Sequence, residues 1–167
     1  METIYFKDQP CHTAGRLPSV GDKAPAFRLV TPELKEIKNT DYAGRRVVLN
    51  IFPSLDTGVC AASVRRFNKD AVGFENTDVL CVSMDLPFAA GRFCVAEGID
   101  KVTAASAFRS PEFVKNYGVE IVDGPLAGLL ARAVVVIDTD GKVIYRDLVE
   151  NITDEPRYSE VIDVLRR

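Results

Sequence analysis

Three short segments constrain this chain more than any others. Residues 47–52 (VVLNIF), 79–84 (VLCVSM) and 133–137 (AVVVI) are nearly continuous apolar runs rich in β-branched residues. A strand with one wet face alternates apolar and polar side chains, so uninterrupted runs of this kind belong to strands covered on both faces. Helices must supply the covers, and the intervening sequence offers them. From Cys60, apolar residues recur at Val64, Phe67, Ala71 and Phe74, in steps of four and three, while Arg65, Arg66 and Lys69 fall off that stripe. The spacing predicts an amphipathic helix with Cys60 on its inner edge. Residues 87–97 (PFAAGRFCVAE) predict a second helix, with Asp85 near its cap, Pro87 near its first turn and Gly98 at its end.

The remaining elements are shorter. Residues 102–104 predict a small strand, 110–117 (SPEFVKNY) a helix opened by Ser-Pro, and 158–167 a closing amphipathic helix. Residues 142–149 predict a strand that pairs with 133–137 across Thr139-Asp140-Gly141, where Asp-Gly is a strong hairpin signal. Two β-prone runs, 3–7 and 11–14 around Asp8-Gln9-Pro10, predict an N-terminal hairpin accessory to the core. The sum is an α/β arrangement with a central mixed sheet flanked by helices, compatible with a thioredoxin-like fold.

No repeat, low-complexity tract or linker interrupts residues 1–167, so one domain is expected. A chain of this size buries roughly two thirds of its unfolded surface and needs neither metal nor disulfide to fold. The formal net charge of -3 lacks the basic footprint of a nucleic-acid or anionic-membrane binder. No segment reaches the ~18 uncharged apolar residues of a membrane span, and the first residues show no export signal. A cytoplasmic location is expected, with a periplasmic one left open. One histidine, His12, and four scattered cysteines, at 11, 60, 81 and 94, do not make a metal site. Neither G-x-G-x-x-G nor a Walker-type loop is present, so no nucleotide or other cofactor is expected.

The chemistry concentrates at residues 50–60 (NIFPSLDTGVC), where a buried strand runs through a turn into a helix. That carboxyl end of a strand is where α/β sheets bind ligands. With Thr57 as the helix cap, Cys60 occupies the first turn, where free backbone N–H groups and the helix dipole favour an anion. Making a thiolate dominant at neutral pH takes about 3 kcal/mol of preferential stabilisation. A helix terminus supplies only ~0.3–1 kcal/mol, so a charged hydrogen-bond partner worth ~1.5–3 kcal/mol is required as well. An arginine would suffice. A cysteine on an inner helix face is equally at home as a core filler, and Arg132, just before the run AVVVI, reads by itself as a solvated charge at a strand start.

Pro53-x-x-x-Thr57-x-x-Cys60 resembles the active-site motif of peroxiredoxins. The longer stretch PSLDTGVCAASVRRFN, with GRFCVAEG, ARAVVVID and PSVGDKAPAF in matching order, resembles the bacterial thiol peroxidase subfamily, the atypical two-cysteine type. The resemblance implies that Cys60 is the peroxidatic cysteine and that the Thr57 hydroxyl hydrogen-bonds thiolate and peroxide. It implies that Pro53 shields and shapes the pocket, that Arg132 holds the thiolate and the substrate oxygens, and that Cys94 resolves the oxidised sulfur in an intramolecular disulfide. It further implies reduction of hydrogen peroxide and alkyl or lipid hydroperoxides, recycling by thioredoxin, a homodimer and a role in antioxidant defence. Cysteines on two helices seldom come within the ~7 Å between Cα atoms that a disulfide allows, so local unwinding around Cys60 is expected in each turnover.

Cys81, inside VLCVSM, reads as an inert core thiol, and the neighbours Cys11 and His12 point to opposite faces of a strand. Residues 124–130 (GPLAGLL) are unusually apolar for a loop, which leaves open burial, contact with a hydrophobic peroxide or a subunit contact. A thiol-disulfide oxidoreductase on this fold uses a C-x-x-C pair, and here threonine stands three positions before Cys60. A redox sensor acting through the same Cys60–Cys94 switch is the alternative from a non-enzymatic class.

Overall fold

The computed structural model describes residues 1–167. From the N-terminus a hairpin of β1 (Thr3–Phe6) and β2 (Gln9–His12) precedes a second hairpin of β3 (Arg28–Val30) and β4 (Glu36–Lys38). Then follow β5 (Arg46–Ile51), α1 (Gly58–Asp70), β6 (Thr77–Ser83), α2 (Pro87–Glu97), β7 (Thr103–Ser106) and α3 (Pro111–Tyr117). The chain closes with β8 (Ala133–Ile137), β9 (Val143–Leu148) and α4 (Tyr158–Leu165). Apart from β1 and β2, the strands form one seven-stranded sheet in the order β4-β3-β7-β6-β5-β8-β9.

The three apolar runs occupy the middle of that sheet. β5 pairs in parallel with β6 and antiparallel with β8, and β8 is buried along its whole length. Side-chain alternation then divides the core in two. Val47, Leu49 and Ile51 join Phe27, Phe113 and Tyr117 on one face. Val48 joins Val64 and Phe67 of α1 and Val161 and Val164 of α4 on the other. Each such side chain contributes roughly 1.5–3 kcal/mol by leaving water. The mixed α/β sheet flanked by helices, with an N-terminal hairpin, is thus the thioredoxin-like architecture expected. No helix is long and apolar enough to cross a membrane.

Several boundaries differ from expectation, each for a local reason. The N-terminal hairpin turns at Lys7 and Asp8, both with positive φ, so Gln9 and Pro10 belong to β2 and Pro10 faces Tyr5. A two-residue turn with two left-handed residues matches the strand twist better than a longer loop. The β3–β4 hairpin went unforeseen because each strand is only three residues long and Leu34 takes the left-handed position usually given to glycine. α1 ends at Asp70, and Ala71 continues into a 3₁₀ turn, although Ala71 and Phe74 still pack on the core. β7 starts at Thr103 and runs to Ser106, two residues beyond the expected end, because Ser106 pairs with Ser83 and Val30. The cap of α2 is Leu86, next to Asp85, whose carboxylate is engaged elsewhere. Gly118 ends α3 at φ 66° where a Cβ would stand 2.4 Å from the Arg16 nitrogen, so only glycine fits.

Candidate active site

The carboxyl end of β5 leads through Phe52 and the buried Pro53 into residues 54–57 and then α1. Thr57 caps the helix with extended backbone, and Ala61 N–H makes the first helical bond, to Thr57 O at 3.0 Å. The N–H groups of Gly58, Val59 and Cys60 therefore precede the helical ladder and can serve an anion. No acidic residue occupies the first turn. Cys60 lies in this turn and is completely buried.

Antiparallel pairing explains how Arg132 arrives there. Ala133 sits opposite Ile51, so the start of β8 abuts the end of β5 and delivers a residue 72 positions away in sequence. Arg132 Nη2 donates to Cys60 Sγ at 3.2 Å, and Nε donates to the Ile152 carbonyl at 2.7 Å. The residue is 1% exposed, so the solvated-charge reading is overturned. Its Nη1 is buried without a partner. A guanidinium on a carbonyl at one corner and a sulfur at another is held rigidly, with Nη1 left for an incoming acceptor.

Thr57 is the cap of the helix that carries Cys60, and its hydroxyl departs from expectation. Its hydroxyl donates to Ser54 O at 3.1 Å and makes no hydrogen bond to Cys60. With its proton so committed, the oxygen is available as an acceptor. Two polar groups that sequence reading passed over support the turn. Ser63 Oγ donates to Cys60 O at 2.8 Å and accepts from Asn50 Nδ2 at 3.2 Å, inside the core face of β5. The signal was Asn50 itself, the only polar residue in VVLNIF.

The other cysteines separate clearly. Cys94 lies in the last third of α2, half-buried, and packs against the same core cluster that contains Cys60. Burial, with Glu33 acting in the same sense, raises its thiol above the ordinary range. Cys81 is buried in β6, where desolvation pushes its thiol up to about 12. Cys11 is buried in a third cluster with Ile4 and Ile121, while His12 pairs with Asp123 on the outside. All four thiols are free. In the apolar loop Leu126 packs on that third cluster and Leu130 is fully buried.

The redoxin family model matches residues 19–162. A thiol peroxidase of Corynebacterium glutamicum is 53% identical over 165 residues, 99% of each chain. The chain belongs to the thiol peroxidases of the redoxin family. As a thiol peroxidase it is an enzyme of the peroxiredoxin type. A peroxiredoxin-like protein from Aquifex aeolicus superposes with a TM-score of 0.94 at 43% identity, over 99% of this chain and 96% of that one. A thiol peroxidase from Chromobacterium violaceum, 20% identical, shares the fold with a TM-score of 0.91 over 99% and 96% of the two chains.

Proposed function

We propose that Cys60 is the peroxidatic cysteine, Cys94 the resolving one, and Arg132, Thr57 and Pro53 the residues that prepare Cys60 for a hydroperoxide. The observation that carries this reading is Arg132, whose Nη2 meets Cys60 Sγ at 3.2 Å while its buried Nη1 has no partner. A buried cationic donor left unpaired costs free energy, and a substrate oxygen is the natural acceptor.

The Cys60 thiolate attacks the terminal oxygen of the hydroperoxide. A sulfur–oxygen bond forms as the O–O bond breaks, giving the sulfenic acid, and the departing alkoxide or hydroxide takes a proton to leave as alcohol or water. Negative charge builds on the departing oxygen, so Arg132 and the free N–H groups at the start of α1 stabilise the transition state more than the ground state. Thr57 Oγ1 accepts the peroxide's O–H and aligns it. Pro53, buried where β5 leads toward α1, keeps water from the sulfur.

Resolution follows when Cys94 attacks the sulfenic sulfur, forming the Cys60–Cys94 disulfide and releasing water. Cys60 is fully buried in its helix, so this step requires its turn to unwind. A dithiol of the thioredoxin type then reduces the disulfide, with hydrogen peroxide and alkyl or lipid hydroperoxides as substrates and antioxidant defence as the outcome. A reducing, cytoplasmic setting suits this cycle, which runs within a single domain, residues 1–167, and in a homodimer. The relatives lend no support to the redox-sensor alternative.

The test is hydroperoxide-dependent NADPH oxidation with thioredoxin and its reductase. Wild type should turn over continuously, Cys60→Ser should be dead, and Cys94→Ser should complete one oxidation without thioredoxin-supported cycling. A folded, reduced wild type that does not turn over contradicts thioredoxin recycling, and turnover surviving in Cys60→Ser contradicts the assignment of the nucleophile.

A further inference from the structure

One carboxylate fastens the loop before α1 to the strand before α2, and the chemistry above makes no use of it. Asp85 lies between the end of β6 and the cap of α2. Its Oδ1 accepts from Ser54 Oγ at 2.8 Å, and its Oδ2 accepts from Leu55 N–H and from Ser83 Oγ, each at 2.7 Å. The Asp85 N–H donates to Ser83 Oγ at 3.2 Å, and its carbonyl accepts from Ser106 Oγ on β7. The residue is thus seated on two strands, through its backbone on β7 and its carboxylate on β6, and the carboxylate reaches across to the loop. On the loop side, Ser54 Oγ accepts from Asp56 N–H at 3.1 Å, and Ser54 O accepts from Thr57 Oγ1 at 3.1 Å and Thr57 N–H at 3.2 Å. Asp85 therefore holds Ser54 and Leu55, Ser54 holds Thr57, and Thr57 caps the turn that carries Cys60.

No cation pairs with this carboxylate, so its charge is compensated by neutral donors alone, each of them a charge-assisted hydrogen bond. Unwinding the Cys60 turn must move residues 54–57, which strains or breaks the two bonds that cross from Asp85 to the loop. Resting on the assignment of Cys60 and Cys94 above, we propose that Asp85 is a positioning residue that sets how readily the Cys60 turn opens, and so how the enzyme divides between oxidation and resolution. The two steps need opposite states. Oxidation requires Cys60 beside Arg132, in the closed turn. Resolution requires the open turn, where Cys60–SOH and the Cys94 thiol form the disulfide and water. Until it opens, the sulfenic acid is exposed to a second hydroperoxide, which oxidises it to the sulfinic acid and leaves as alcohol or water.

While the open form is a minor species, the rate of disulfide formation is proportional to its population, whereas the rate of oxidation hardly depends on it. Loosening the clamp therefore speeds one step without speeding the other. General damage to the fold would slow both.

The experiment is rapid-quench mass spectrometry of Asp85→Ala, Asp85→Asn and Ser54→Ala after peroxide addition, with the oxidation and disulfide-forming rates measured separately. Asp85→Ala, which removes both crossing bonds at roughly threefold each, should form the disulfide about tenfold faster. Its second-order oxidation constant should be equal to wild type or lower, and the peroxide concentration that leaves half of Cys60 as sulfinic acid should rise about as much as resolution does. Ser54→Ala, which removes one crossing bond, should accelerate resolution roughly threefold. Asp85→Asn keeps an acceptor for Leu55 and Ser83 and should fall between wild type and Asp85→Ala. Disulfide formation that is unchanged or slower overturns the proposal, and Ser54→Ala carries the test where Asp85→Ala fails to fold. Failure of the underlying assignment looks different: wild type would then show no Cys60–Cys94 link, or Cys60→Ser would still consume peroxide.

Discussion

Replacing Arg132 by methionine removes the guanidinium from a fully buried position while filling much of its volume. The Nη2 donor on Cys60 Sγ, the Nε donor on the Ile152 carbonyl and the unpartnered Nη1 disappear together. A hydrogen bond to a charged group is worth ~1.5–3 kcal/mol, so the first loss alone slows attack by the sulfur roughly 10- to 150-fold. Loss of a donor where charge develops in the transition state costs a further factor of about 10²–10³. One side chain supplies both effects and they overlap, so the expected fall in kcat/KM for hydroperoxide is about 10³. Lysine restores the charge, but one ammonium cannot span the Ile152 carbonyl, the sulfur and the peroxide as the fork does, and Arg132→Lys should still lose about 10². Stopped-flow oxidation with one equivalent of peroxide gives the rate constant. Alkylation of Cys60 by iodoacetamide across pH isolates the thiolate contribution, because that reaction involves no O–O bond. The orphaned Ile152 carbonyl should also lower thermal stability, by about 1–3 kcal/mol. An Arg132→Met protein that folds and is oxidised within a factor of about three of wild type would refute the assignment of Arg132, since one charged hydrogen bond already exceeds that factor.

Thr57→Ser keeps an acceptor oxygen and should oxidise within about threefold of wild type, whereas Thr57→Val should lose about 10- to 100-fold in kcat/KM; equal activity in the two would contradict an acceptor role. Because burial and Glu33 hold the Cys94 thiol above its ordinary range, the attacking thiolate is scarce at neutral pH. Disulfide formation after a single oxidation should therefore accelerate about tenfold per pH unit up to at least pH ~8.5, and a plateau below that by rapid quench would contradict attack from the folded helix. Burial pushes the Cys81 thiol to about 12, so alkylation of native protein at mildly alkaline pH should leave Cys81 unlabelled until denaturant is added.

The sequence carried the middle of the fold and most of the site, for reasons visible in particular residues. Doubly covered strands cannot hide, and the runs at 47–52, 79–84 and 133–137 appear as β5, β6 and β8. Cys60 was legible because strand, turn and helix start follow in order, and the need for an arginine followed from the weakness of a helix dipole. That the arginine is Arg132 came from resemblance, since the antiparallel β5–β8 register that delivers it is a long-range property. Short-range signals misled where tertiary contacts decide. Asp85 reads locally as part of a helix start, yet its carboxylate turns to Ser54 and Leu55, some 30 residues earlier. The three-residue strands β3 and β4 carry too little periodicity to be seen without the sheet they join.

The account stands on Cys60 being the sulfur that the peroxide oxidises and Cys94 being the thiol that captures it. Peptide mapping of the protein after one equivalent of hydroperoxide tests both at once, with the sulfenic acid trapped by dimedone in Cys94→Ser. The account predicts a single Cys60–Cys94 link within one chain of wild type and a dimedone adduct confined to Cys60 in the variant. An adduct on another cysteine, or a disulfide that omits Cys60 or Cys94, would contradict it.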